Sequence, residues 1–212
     1  NNITLKNIEF KYNDESNTVI KVPNFSLNKK DKISIVGESG QGKSTFLSLF
    51  CRFYDVDNKK YLTDGTPTSK APDIAYISQQ SDLFDLTIKE NLCLGKRIPN
   101  EILNEYLKNA GLDEWINNLE KGLDTIVGEK GIKLSAGQKQ RLNIIRGILL
   151  DKDIYILDEP TSNLDSLSEN KIYDMINKYL KDKTCIIVTH RPKLTEICNK
   201  HYYFDKRVMK EK

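Results

Sequence analysis

Apolar and polar positions alternate almost from the start of the chain. ITLKNIEFKY, residues 3–12, reads as a strand with one buried face, and the alternation changes phase near Lys6-Asn7. Short apolar runs at Val19 to Val22 and Phe25 to Leu27 predict further strands, and KISIV, Lys32 to Val36, a buried one. FLSLFCRFY, Phe46 to Tyr54, reads as an apolar helix. Lys60 to Thr63 and Ile74 to Ile77 are strand-like, separated by the turn-rich DGTPTSKAPD, Asp64 to Asp73. From about Thr87 the period becomes helical. Ile102, Leu103, Tyr106, Leu107 and Ala110 follow i, i+3, i+4 spacing between Pro99 and Gly111, and Leu112, Trp115, Ile116 and Leu119 repeat it. From Asp153 strand and helix alternate: IYIL, a helix through Ile172, Ile176 and Tyr179, TCIIVTH, a short helix and HYYF. That order predicts an α/β fold with a largely parallel sheet, helices outside it and an inserted helical subdomain.

At 212 residues the chain suits one domain, with or without a small inserted subdomain. Apolar content of 38% and charged content of 30% provide a core and a solvated surface. The net charge of +3 is spread along the chain without a run of one sign, so no nucleic-acid partner is expected. No apolar run approaches the about 20 residues that cross a bilayer, and no signal peptide is legible. Cys51, Cys93, Cys185 and Cys198 lack metal-type spacing and read as reduced thiols in a cytosolic compartment. An opening Asn1 that leads at once into a strand suggests a piece of a longer polypeptide.

The chemistry concentrates in a few segments. GESGQGKST (Gly37, Glu38, Ser39, Gly40, Gln41, Gly42, Lys43, Ser44, Thr45) fits G-x-x-x-x-G-K-[ST] between a buried strand and a helix. Such glycines let backbone N–H groups turn inward around an anion, and the helix start adds its dipole. Lys43 can reach outer phosphates, and the Ser44 hydroxyl can ligate Mg²⁺. IYILDE ends a strand with Asp158 and Glu159, placing one carboxylate to hold Mg²⁺ and the next to polarise a water. LSAGQ carries Ser135, Ala136, Gly137 and Gln138 before a helix. Ser135 with Gln138 also forms a capping-box pattern, and the small residues leave the helix start open to an anion. Gln79, after IAYIS, can reach the metal or a water; His190 closes CIIVTH; Tyr12 ends the first strand as core or as a platform for a base.

Together these segments resemble the nucleotide-binding domain of an ABC transporter over essentially the whole chain, residues 1–212. GESGQGKST is similar to its Walker A and IYILDEP to its Walker B with the catalytic glutamate, Glu159. LSAGQKQR resembles the signature motif, and SNLD, Ser162 to Asp165, the D-loop. Gln79 matches the Q-loop, His190 the switch histidine, and Tyr12 the aromatic that stacks on adenine. TIVGEKG, Thr125 to Gly131, looks like the segment characteristic of exporters. The resemblance implies a P-loop core with a mostly parallel sheet, an N-terminal antiparallel β subdomain and a helical insertion over about residues 80–150.

It further implies an ATPase using ATP and Mg²⁺, with Lys43, Glu159 and His190 catalytic and Ser44, Gln79 and Asp158 around the metal. Two such domains pair head to tail, as a homo- or heterodimer. Each nucleotide then lies between one subunit's Walker motifs and the other's Ser135–Gln138. A transmembrane domain is the other implied partner, which puts the domain on the cytoplasmic face of a membrane. Phe84, Leu83, Leu86 and Glu129 are the residues expected to face it. Three positions depart from the pattern: Ala136 for the first signature glycine, Ser78 where proline is frequent, and a short Thr66 to Asp73 connection. An importer-type subunit, a soluble ABC ATPase acting on DNA or ribosomes, and a regulatory module that binds ATP without cleaving it are the alternatives.

Overall fold

The structure is a computed structural model and describes residues 2–12, 19–80, 82–131 and 133–212. Its strands are β1 (Ile3–Phe10), β2 (Ile20–Leu27), β3 (Lys32–Val36), β4 (Tyr61–Thr63) and β5 (Thr66–Pro67), then β6 (Ile74–Ile77), β7 (Ile154–Asp158), β8 (Thr184–Val188), β9 (Lys200–Asp205) and β10 (Val208–Glu211). Its helices are α1 (Lys43–Phe50), α2 (Ile88–Cys93), α3 (Asn100–Asn109), α4 (Asp113–Asn117), α5 (Ala136–Leu149), α6 (Ser166–Tyr179) and α7 (Pro192–Glu196). The chain divides into two compact units, Asn1–Ile74 with Lys183–Lys212, and Ala75–Asp182.

In the first unit the strand order is β5-β4-β1-β2-β10-β9-β3-β8. β9, β3 and β8 run parallel, as buried β-branched runs flanking a helix predict. β1 pairs antiparallel with β2 and β4, and β4 with β5, forming the expected antiparallel N-terminal ladder. The core beneath α1 is aromatic. Phe25 meets Phe46 at 4.8 Å and Tyr202 at 5.0 Å between ring centroids. The buried Tyr61 hydroxyl donates to Phe50 O at 2.9 Å, which satisfies the one polar atom of a ring otherwise held by burial. The Asp31 carboxylate ties the entry to β3 to the start of β9, accepting from Lys200 Nζ at 2.7 Å, Asn28 N at 2.8 Å and Asn199 Nδ2 at 3.1 Å.

The phase change read near Lys6-Asn7 has a physical origin. Asn7 takes a left-handed conformation (φ 48°), and it falls opposite Pro23, which has no N–H to give to a ladder. Both strands therefore turn over together: Ile3 and Leu5 are buried before the turn and Ile8 after it, matched by Phe25 and Leu27, then Val22 and Ile20. The two strands expected at Val19 to Val22 and Phe25 to Leu27 are consequently one, β2. The pattern also missed β10, a strand too short and charged to stand out.

The second unit holds β7 beside β6 together with α2 to α6. α5 lies close to β6: a Cβ on Gly147 would stand 2.4 Å from Ile77 Cγ1, so only glycine allows that approach. Asn143 Nδ2 donates to Ser78 O at 3.2 Å and Arg146 donates to Asp82 O at 3.0 Å, pinning the segment after β6 to the same helix. Among the described residues no helix is long and apolar enough to cross a membrane. All four cysteines are buried and free, and burial pushes the thiols of Cys51, Cys185 and Cys198 up to about 12, so none of these three is a thiolate near neutrality.

Candidate nucleotide site

In the first unit the buried strand β3 delivers the loop Gly37 to Gly42 to the start of α1. Gly42 is the residue before the helix, at φ 116°, and no side chain caps the N–H groups that follow it. Side chains rarely adopt such an angle, and a Cβ there would lie 2.9 Å from Ile20 Cδ1. Gly37 (φ 150°) is equally confined, since its Cβ would approach Phe204 Cβ at 3.1 Å and Phe204 O at 3.2 Å. An uncapped helix N-terminus behind a glycine turn supplies inward N–H donors and a positive dipole end. Lys43 Nζ folds over this loop, donating to Gly37 O and to Glu38 O, the latter at 3.0 Å. Gln41 Oε1 accepts from Arg207 N at 3.0 Å, anchoring the outer side of the loop to the β9–β10 turn. Ser44 is exposed at the first turn, whereas Thr45 is buried and its hydroxyl is hydrogen-bonded to that of Tyr12.

Tyr12 is 55% exposed and stands edge-on to Phe10 at 5.2 Å and to Tyr54 at 5.5 Å. The three rings form one cluster whose outer member presents a free face, the form a base platform takes. Tyr54 was not singled out by the sequence; its place at the end of an apolar run disguised it as core. His190 follows β8 and is exposed. It lines a cavity of about 980 Å³ together with Ser34, Val36 and His201, and His201 Nδ1 hydrogen-bonds Ser34 Oγ at 2.8 Å.

In the second unit β7 is buried along its whole length and ends in Asp158, 9% exposed, which accepts a hydrogen bond from the Tyr76 hydroxyl of β6 at 3.1 Å. Glu159 follows at φ 48°, a left-handed conformation for a residue with a Cβ. Ser162 N donates to Glu159 O at 3.3 Å, closing the turn, and Gln140 Nε2 donates to the same oxygen at 2.9 Å. Asp165 caps α6, accepting from Leu167 N and Ser168 N, each at 3.0 Å.

Ser135 caps α5. Its hydroxyl accepts from Gln138 N at 3.2 Å while Gln138 Oε1 accepts from Ser135 N at 2.9 Å, so both halves of the capping box form. Gln79, Ala136 and Asn163 line one cavity of about 610 Å³ with Lys130 and Lys139 on its walls. The second unit thus gathers Gln79 and Ala136 around one opening, with two lysines and the aspartate Asp82 beside it. Tyr76 and Gln140 escaped the sequence reading. The legible signal for Gln140 was a polar residue one turn before Ile144 on the buried side of α5.

One expectation changes. Leu83 is buried at 4% exposure and belongs to the core of the second unit, its Cδ1 standing 3.4 Å from where a Cβ on Gly131 would lie. Phe84 and Leu86 are exposed, and the Arg146 guanidinium lies 5.9 Å from the Phe84 ring centroid. Phe84 is therefore a surface residue and Leu83 is not.

The family model described as ABC transporter matches residues 20–162. A multidrug export ATP-binding/permease protein of Staphylococcus aureus is 42% identical over 196 residues, covering 89% of this chain and 34% of its own length. An export ATP-binding/permease protein of Rickettsia typhi is 39% identical over 197 residues, with the same coverage of 89% and 34%. A solved structure, a bacterial Atm1-family ABC exporter with ATP bound, superposes with a TM-score of 0.88 at 30% identity, over 99% of this chain and 38% of that one. The chain spans about a third of the length of these relatives.

Proposed function

Since this chain belongs to the ABC transporter family and forms an ATPase domain of its exporter type, we propose that it binds and hydrolyses ATP to drive export through a membrane domain. The observation that carries the reading is the uncapped start of α1 behind Gly42, with Lys43 and Ser44 at its first turn. The glycine loop and that helix end bind the phosphates, Lys43 neutralises the outermost of them, and the exposed face of Tyr12 takes the base. Magnesium fits the residues present. A serine hydroxyl at a helix start and a strand-end carboxylate, Ser44 and Asp158, are hard oxygen donors of the few-ligand kind that Mg²⁺ takes beside phosphate and water, and the Gln79 amide oxygen is a donor of the same kind. When bound, the ion supplies charge neutralisation on the phosphates. Glu159 orients and polarises the attacking water, and His190 contacts the terminal phosphate.

Ser135, Ala136, Gly137 and Gln138 complete the site of a second copy or a related domain in a head-to-tail dimer. Closure on ATP and opening after hydrolysis is then the mechanical cycle, since both faces bind the same nucleotide. The exposed Phe84 and Leu86, with Glu129, are the surface offered to the membrane domain, and the domain works on the cytoplasmic face. Titration calorimetry and light scattering test the scheme. Lys43→Ala abolishes measurable Mg-ATP binding. Glu159→Gln keeps ATP, hydrolyses little and forms an ATP-dependent dimer. Unchanged affinity in Lys43→Ala would sink the phosphate-loop assignment.

A further inference from the structure

We propose that Gln140 is a positioning residue for hydrolysis: its buried carboxamide holds the backbone of Glu159 in the conformation that aims the Glu159 carboxylate. The inference rests on the role given to Glu159 above. Gln140 lies in the second turn of α5 and is 2% exposed. Its Nε2 donates to Glu159 O at 2.9 Å and to Ser162 Oγ at 3.3 Å, and its Oε1 accepts from Asn163 N at 3.0 Å. The amide orientation is unambiguous, because a backbone carbonyl on one side and a backbone N–H on the other admit only one assignment.

Glu159 needs such a hold. At φ 48° it sits in the left-handed region, where a Cβ crowds the neighbouring carbonyl oxygen. A residue stays there only where its surroundings over-determine it. Relaxation to a right-handed or extended conformation would swing the Cα–Cβ bond and carry the carboxylate away from its water. Two donors grip the Glu159 carbonyl against that, Ser162 N from within the turn and Gln140 Nε2 from α5. The helix also comes close to the loop after Glu159 at a second point, where a Cβ on Gly137 would stand 3.4 Å from Asn163 O. The start of α5 and the turn 159–163 are thus held together by one side chain and one close approach. Gln140 thereby links the helix start that serves the partner's nucleotide to the glutamate that serves its own.

The test uses the full-length protein and four variants. Gln140→Met keeps the volume and removes every polar contact. The expected result is a fall in kcat of about 10²-fold, the scale of a misplaced reacting group, with the affinity for ATP and for a non-hydrolysable analogue unchanged. Adding Gln140→Met to Glu159→Gln should cost nothing further, because both act through one carboxylate. Gln140→Glu carries a sharper signature. A carboxyl group there can accept from Asn163 N in either state but can donate to Glu159 O only when protonated, and burial raises its pKa. Its kcat relative to the native protein should therefore rise as pH falls. Native kcat in Gln140→Met, multiplicative losses in the double variant, a loss of affinity parallel to that of kcat, or a flat pH ratio for Gln140→Glu would each overturn the positioning role. Full hydrolysis by Glu159→Gln alone would instead overturn the assignment of Glu159 on which it rests.

Discussion

Replacing Gly42 by alanine separates the two reasons a glycine stands there. The first is conformational. At φ 116° an L side chain is strained, a cost of about 1–3 kcal/mol. The second is steric. The new Cβ would meet Ile20 Cδ1 at 2.9 Å and Cγ1 at 3.1 Å, and Ile20 is buried, so its side chain cannot swing into water. Overpacking of this kind costs about 1–3 kcal/mol. Gly42→Ala should therefore destabilise by about 2–6 kcal/mol, or lower Tm by about 4–24 °C for a chain of this size. Gly40→Ala is the internal control. It lies in the same loop at φ 76° with no atom within 4 Å of its Cβ, so it should lose only the left-handed cost of about 1–2 kcal/mol. Ile20→Val removes the nearest atom. Combined with Gly42→Ala it should recover part of the steric cost, since Cγ1 at 3.1 Å remains, and leave the conformational part. Differential scanning calorimetry without nucleotide measures both terms, and titration calorimetry should show Mg-ATP affinity falling with Gly42→Ala because the loop can no longer curl. Equal losses for the two alanine variants, or no recovery with Ile20→Val, would refute the reasoning.

Two further predictions concern the first unit. Burial alone would raise the Asp31 carboxyl, but the hydrogen bonds from Lys200, Asn28 and Asn199 outweigh it and hold the group below the usual carboxylate range. A depressed folded pKa means stability that is present above the unfolded value of about 3.9 and lost as pH falls through the folded one. Asp31→Asn should cost about 1–3 kcal/mol at neutral pH, and its deficit in denaturant unfolding should vanish in acid; a deficit unchanged at low pH would contradict the ion-pair reading. Tyr12→Ala should weaken Mg-ATP binding by about 1–3 kcal/mol, the stacking contribution of a base. Tyr12→Phe, which keeps the ring and loses the bond to Thr45, should lose only about 0.5–1.5 kcal/mol; equal losses would mean the hydroxyl rather than the ring face carries the affinity.

Much of the molecule was legible because its signals are local. The glycine loop, the strand-end carboxylates Asp158 and Glu159 and the Ser135–Gln138 capping box are set by neighbours in sequence, through φ preferences and helix-end hydrogen bonds that act over a few residues. Strand β3, strand β6 and helix α3 follow from periodicity for the same reason. What the tertiary structure decided depends on partners far away in the chain. Asn7 and Pro23 make two apparent strands one because they face each other across a ladder. Leu83 and Phe84 are adjacent and similarly apolar, yet one is core and the other surface, since only packing selects which of two neighbours turns inward. Gln140 looked like an ordinary polar residue beside a signature segment. The two backbone atoms and one hydroxyl that satisfy a buried amide come from residues 19 to 23 positions away, and no period along a helix encodes them.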